Sequence, residues 1–418
     1  MKLPKTAKIL ISVILLALAG AFGTNKQIYS GALAGGFFAL ALFSVAIIHL
    51  RVCKFWPDGP ALLAWTGLLA LVDFRLLSFS HHIIAWFSFL GLGSLLLLAL
   101  RTLWSNGDRQ KLLLSAFVPA LLFVASEWFA SDLLAVTTRL HPKTLDLYLY
   151  SFDGSLHVQL SFLLGQAFAM SPLLKIIGFF FYIGLPIPIA MVYSGQLVRV
   201  RERAFPAMAA FLLTGPIGVV FYNLFPAAGP ISLVPRDFPW YPLRTEMVRR
   251  LFLEPVAIHG ARNAIPSLHM AWVLLAWWFS RGLSRLERGI AWLFVVLTFC
   301  ATMGLGEHYF IDLVLACPFA LFMVALCTWP PVWKRRISRD SFFFGLLAIL
   351  LWFTGLRFGP HSFWISPILP WALCALTVGC TVWLWRRLEA ADADCLPTKA
   401  LDASRNPGLQ PQLGERFN

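Results

Sequence analysis

The chain has 418 residues, of which 59% are hydrophobic and only 13% charged, with 37 Phe and 17 Trp and a mean hydropathy of +0.74. Soluble domains carry roughly 25% charged residues, so this composition excludes an ordinary water-soluble protein and predicts an all-α polytopic membrane protein. The net charge of +14 does not imply nucleic acid as a partner, because the basic residues fall in short clusters between apolar runs rather than along one face.

Taken in order, the apolar runs number about twelve, at roughly 8–23, 30–50, 59–78, 82–103, 112–136, 172–197, 205–226, 264–281, 288–306, 308–329, 341–356 and 368–386. The first, behind Lys2, Lys5 and Lys8, reads as an anchor rather than a cleaved leader, since no clear cleavage triplet follows it. Between the fifth and sixth runs, residues 137–171 are amphipathic and carry Asp146, Asp153 and His157; they are expected to lie on the bilayer surface or to cover the site. The resulting organisation is a set of accessory helices over 1–111, a six-helix core over 112–329, a helical hairpin over 330–387, and a disordered tail over 388–418. Cys300, Cys317, Cys327, Cys374 and Cys380 sit inside apolar runs without a CxxC, as small buried residues and not as a disulfide or zinc framework.

If the runs alternate across the membrane, 23 of the 34 basic residues gather on the face that holds both termini. The positive-inside rule makes that face cytoplasmic. Five of the remaining basic residues, Arg236, Arg244, Arg249, Arg250 and Arg262, crowd one loop on the other face. The guanidinium fork suits phosphate, so these arginines are candidates for binding it.

That loop leads into Pro266-Ser267-Leu268-His269, and after one inward and one outward crossing the chain reaches His308-Tyr309-Phe310-Ile311-Asp312. Span counting therefore places His269 and His308 at helix mouths on the same outer face. Titratable groups at such depth are costly and mark functional sites. His308 and Asp312 are four apart and share a helix face, so the carboxylate can hold the Nδ1 proton and leave a lone pair on Nε2, as a nucleophile requires. His269 can protonate a leaving alkoxide, and Ser267, Arg262 and backbone amides can hold phosphoryl oxygens. The set makes a phosphoryl-transfer site that calls for no metal or cofactor. Glu127, Tyr222 and Asn223 also lie near outer helix mouths as possible contributors, whereas Glu307, rotated by about 100° from His308 on a helix, is expected to face elsewhere.

These motifs resemble the second and third signatures of the type 2 phosphatidic acid phosphatase superfamily. The closest likeness is to the branch of the inositol phosphorylceramide synthases, which Phe225-Pro226-Ala227-Ala228-Gly229-Pro230 and Pro239-Trp240-Tyr241-Pro242 also resemble. The resemblance covers roughly 112–329 and implies a six-helix core. It also implies a phosphohistidine on His308, oriented by Asp312, with His269 as the acid, resolved by water or by a lipid hydroxyl. The family's Lys-x6-Arg-Pro motif is missing, and Ala301-Thr302 stands where its third motif has Ser-Arg. Either the loop arginines replace those cations, or the substrate is a diester needing less neutralisation.

The function expected is thus an inositolphosphotransferase-like membrane enzyme acting on lipid phosphates or phosphodiesters at the extracytoplasmic face. The alternatives are a lipid phosphate phosphatase, or a non-catalytic transporter or scaffold; the last is disfavoured because no inverted repeat is visible and the ionisable cluster lies at helix mouths. Membrane lipids are the expected partners, and the sequence does not fix an oligomeric state.

Overall fold

The computed structural model describes residues 4–24, 36–53, 55–72, 83–328 and 334–393. Their backbone is almost entirely helical. Helices α1 (Lys5–Thr24), α2 (Gly36–Val52), α3 (Phe55–Val72), α4 (Ile83–Trp104) and α5 (Gly107–Leu140) come first. They are followed by α6 (Asp146–Ser155), α7 (Leu160–Met170), α8 (Pro172–Ile183), α9 (Pro186–Arg199) and α10 (Arg201–Leu224). Beyond a long loop lie α11 (Leu268–Phe279), α12 (Arg285–Gly304), α13 (Phe310–Cys327), α14 (Arg336–Phe358) and α15 (Ile368–Ala393). A two-residue antiparallel ladder, β1 (Lys143–Thr144) with β2 (Val256–Ala257), ties that loop to the segment after α5.

Seven described helices are long and apolar enough to cross a membrane, or eight if α8 and α9, which meet at 46°, form one bent span. This supports a polytopic membrane protein with fewer qualifying helices than the twelve apolar runs. In the run 264–281 only the 12 residues Leu268–Phe279 are helical, a rise of roughly 18 Å against roughly 30 Å of hydrocarbon. At the other end α15 continues to Ala393 with Leu388 buried, so residues 388–393 extend a helix instead of starting a tail; residues 394–418 lie outside the described set.

The core forms around α13, which is apolar on all sides and is 78% buried against α10, α11, α14 and α15. A second cluster, with Phe38, Leu42, Val45 and Ile48 at its centre, packs α2 against α4, α5 and α9. The approach of α2 to α4 is close enough that a Cβ at Gly91 would run into the Leu42 backbone. At the foot of α12, Glu287 pairs with Arg51 from the end of α2 and with Arg199 from the end of α9. As α12 is 20 residues long, this basic end is roughly 30 Å from the loop that carries His308.

Candidate functional site

The site is assembled where α11 and α13 begin. After α12 the chain turns through Gly306, at φ 78°, and the His308 amide donates to the Thr302 carbonyl at 3.2 Å. The His308 ring is buried and has a polar partner on each nitrogen. Nδ1 lies 2.8 Å from the Ala264 carbonyl and Nε2 lies 3.1 Å from Ser267 Oγ. A carbonyl can only accept, so the proton sits on Nδ1 and the Nε2 lone pair accepts the Ser267 hydroxyl. Ser267 has its own reason to be there: it is the N-cap of α11 and accepts from the Met270 amide at 3.3 Å.

The residue that fixes the tautomer is therefore Ala264, through its carbonyl, and not Asp312 as the four-residue spacing suggested. Asp312 Oδ2 stands further from Nδ1, at 3.4 Å, and accepts the Tyr309 amide at 2.7 Å as part of a capping box. Its Oδ1 has no hydrogen-bond partner among the described residues.

His269 faces His308 with ring centroids 5.9 Å apart. It is stacked on Tyr182 at 4.1 Å and 15°, and edged by Phe37 and Trp272. Its Nε2 has no partner among the described residues, leaving that atom open to a substrate oxygen. Tyr222 is buried close by, its hydroxyl next to the Leu268 amide. Burial pulls the His308 imidazole down to about 4, partly opposed by the nearby Glu307 carboxylate. Residues 305–309 are not helical, so the rotation of a helix does not describe where Glu307 lies relative to His308.

The amphipathic segment 137–171 includes α6, one face of which packs into the protein beside the site. Asp146 and Asp153 on α6 are both buried and hold the two walls of the site. Asp146 accepts from the amides of Ala228 (3.0 Å) and Gly229 (2.8 Å) and from the Tyr309 hydroxyl at 3.0 Å. Gly229 needs φ 102° there, and any side chain would collide with the Glu307 carbonyl. Asp153 accepts from the amides of Phe310 (2.8 Å) and Ile311 (3.4 Å), so it caps α13 from outside. Burial raises its carboxyl to about 8, against the amide hydrogen bonds. Sequence reasoning missed both roles; the available signal was two carboxylates seven apart, on one face of a short helix.

Arg262, expected to bind phosphate, is 2% exposed and committed elsewhere. Its guanidinium donates to the carbonyls of His141 (3.0 Å), Gly260 (2.5 Å) and Pro142 (3.1 Å). It ties the loop ahead of α11 to the segment after α5. Arg236, Arg244, Arg249 and Arg250 are exposed, and none forms an ion pair among the described residues. No lysine or arginine there hydrogen-bonds to His308, His269, Ser267 or Asp312 either. Asn223 holds His141 at 3.1 Å and the Val219 carbonyl at 2.8 Å, below the site. The Glu127 side chain lies outside the described residues.

No curated protein and no solved structure shows significant similarity to the chain. Residues 147–326, the stretch from α6 to the end of α13, match the family model described as PAP2 superfamily. Members of that superfamily are typically phosphatases, and the match supports an enzyme of lipid phosphate chemistry in general for this part of the chain.

Proposed function

We propose that the protein is a membrane phosphotransferase that moves a phosphate-bearing head group between lipids through a phosphohistidine on His308. The observation that carries this reading is the arrangement of Nε2. The ring's proton is held on the opposite nitrogen by Ala264, and the His269 ring lies 5.9 Å from the His308 ring, centroid to centroid. In the first half-reaction Nε2 bonds to phosphorus, the bond from phosphorus to the leaving oxygen breaks, and His269 passes that oxygen a proton. In the second half a hydroxyl attacks phosphorus, the P–N bond breaks, and His269 takes the hydroxyl proton. Ser267, donating to Nε2 at rest, becomes free to bind a phosphoryl oxygen once Nε2 is bonded.

The lack of a contacting lysine or arginine among the described residues favours a singly charged phosphodiester over a doubly charged monoester. The helix start at Ser267 supplies only partial positive charge. This supports head-group transfer and, with the Phe225–Pro230 and Pro239–Pro242 segments, the inositolphosphotransferase-like branch. The positive-inside sorting of basic residues supports an extracytoplasmic site with both termini inside.

Purified protein in nanodiscs, wild type beside His308→Ala, should be given phosphatidic acid, phosphatidylinositol, diacylglycerol and ceramide. Exchanged head groups seen by mass spectrometry, absent in the variant, are the expected result. Free phosphate without exchanged lipid makes the protein a phosphatase instead, and activity retained in the variant removes His308 from the reaction.

A further inference from the structure

We propose a second site, at the opposite end of the molecule: a binding site for a divalent transition-metal ion of the zinc class, formed by His49, Cys53 and Asp58. A ring nitrogen of His49, the sulfur of Cys53 and a carboxylate oxygen of Asp58 all lie within 4.8 Å of one another. Ligand atoms around one tetrahedral zinc are roughly 3.3–3.6 Å apart, given metal–ligand bonds of about 2.0–2.3 Å.

The local sequence makes the cluster possible. His49 and Cys53 are four apart and stack on one face at the end of α2, and the chain turns back at once to place Asp58 in the first turn of α3. His49 is 0% exposed, Asp58 3% and Cys53 9%. His49 Nε2, the ring nitrogen aimed at the cluster, meets Asp58 Oδ2 at 3.1 Å; an ion bound there takes the place of the proton the two atoms share, and leaves Nδ1, which has no partner among the described residues, as the protonated nitrogen.

The surroundings suit a metal. Arg101 pairs with the other oxygen of Asp58, the arrangement by which a neighbouring residue fixes a ligating carboxylate. Asp58 and Arg101 also border a cavity of about 480 Å³ between α1, α3 and α4, walled by Ile9, Val13, Leu97 and Trp104. The cavity reaches the cluster at Asp58, while His49 and Cys53 lie behind its wall. Arg51, two residues from His49, pairs with Glu287 at the basic end. Positive-inside sorting puts that end in the cytoplasm, where thiols stay reduced. Mixed sulfur, nitrogen and carboxylate donors select zinc-class ions over magnesium or calcium.

The test uses the full-length protein in detergent, stripped with a chelator and then dialysed against Zn²⁺, Co²⁺ or Mg²⁺. We expect close to one bound Zn²⁺ per chain by elemental analysis and a cobalt–thiolate charge-transfer band with Co²⁺. We also expect the unfolding midpoint to rise with Zn²⁺ but not with Mg²⁺. The Cys53→Ser variant should lose the band, and Cys374→Ser should keep it. Wild-type protein that takes up no Zn²⁺, or whose cobalt form lacks a thiolate band, overturns the proposal and leaves His49, Asp58 and Arg101 as a buried ion pair. These wild-type measurements decide the matter even if Cys53→Ser does not fold.

Discussion

The carboxylate of Asp146 accepts the hydroxyl of Tyr309 at 3.0 Å, joining positions 163 apart in sequence. The same carboxylate holds the amides of Ala228 and Gly229, so one buried group couples the 225–230 loop to the residue beside His308. Asp146→Ala leaves three buried donors without an acceptor. We expect it to destabilise the protein by roughly 3–5 kcal/mol, and Tyr309→Phe, which leaves both amide bonds in place, by about 1 kcal/mol. Unfolding in detergent measures both; equal losses would contradict the shared-acceptor account.

His308 and His269 should separate by leaving group. With a lipid substrate, whose alcohol leaves poorly, His269→Ala is expected to slow turnover by about 10²–10⁴-fold. With an activated aryl phosphodiester the loss should shrink greatly, since such a leaving group needs no proton. His308→Ala should abolish turnover of both substrates. A His269→Ala deficit that is the same for the two substrates would argue against an acid role.

The pH dependence has a definite sign. Burial holds the folded His308 near 4, against an ordinary value of about 6.5. The imidazole therefore stays neutral and nucleophilic well below pH 6, and the acid limb of activity should fall near 4. Between about 6.5 and 4 the unfolded chain binds a proton that the fold does not, so this group's stabilising contribution is present above 6.5 and lost as pH falls to 4. Burial raises the Glu307 carboxyl above its ordinary value, so it is largely protonated near pH 4 and Glu307→Gln should move the acid limb little. Rate–pH profiles of the two proteins check the direction.

Arg262 and the exposed arginines should part company in mutagenesis. Removing the buried guanidinium in Arg262→Ala breaks three hydrogen bonds, to the carbonyls of His141, Gly260 and Pro142, and leaves a void where the side chain packed. It should cost roughly 2–4 kcal/mol of stability. Arg236→Ala or Arg249→Ala, both at exposed positions, should change stability by less than about 0.5 kcal/mol. Unfolding midpoints of the three variants suffice.

What could be read from the sequence follows from what each inference needed. Span counting needs only hydropathy and alternation, and it put His269 and His308 on one face; their rings do meet at 5.9 Å. It could not see that the apolar run 264–281 enters as a buried non-helical loop before Leu268, so it overstated the length of that helix. The i,i+4 rule placed Asp312 near His308 but not the Ala264 carbonyl that lies closer, because backbone groups leave no trace in residue identity. Arg262 looked like a phosphate ligand for the same reason: its acceptors are carbonyls. The roles of Asp146 and Asp153 could not be read because most of their partners are amides distant in the chain, and amphipathicity alone does not say which side of a helix meets protein and which meets lipid.

The shortness of α11 has a consequence for access. The helix ends near Trp277 and Arg281, side chains that favour the boundary between lipid and water. From there it climbs only about 18 Å of a layer roughly 30 Å thick. Were that end of α11 level with the bilayer boundary, His269 would sit in a recess below the far surface. A lipid could then slide in sideways from its own leaflet, whereas each water molecule would have to descend from bulk. Such a depth would let a lipid hydroxyl outcompete water at far lower abundance, and would make the balance between transfer and hydrolysis depend on membrane thickness.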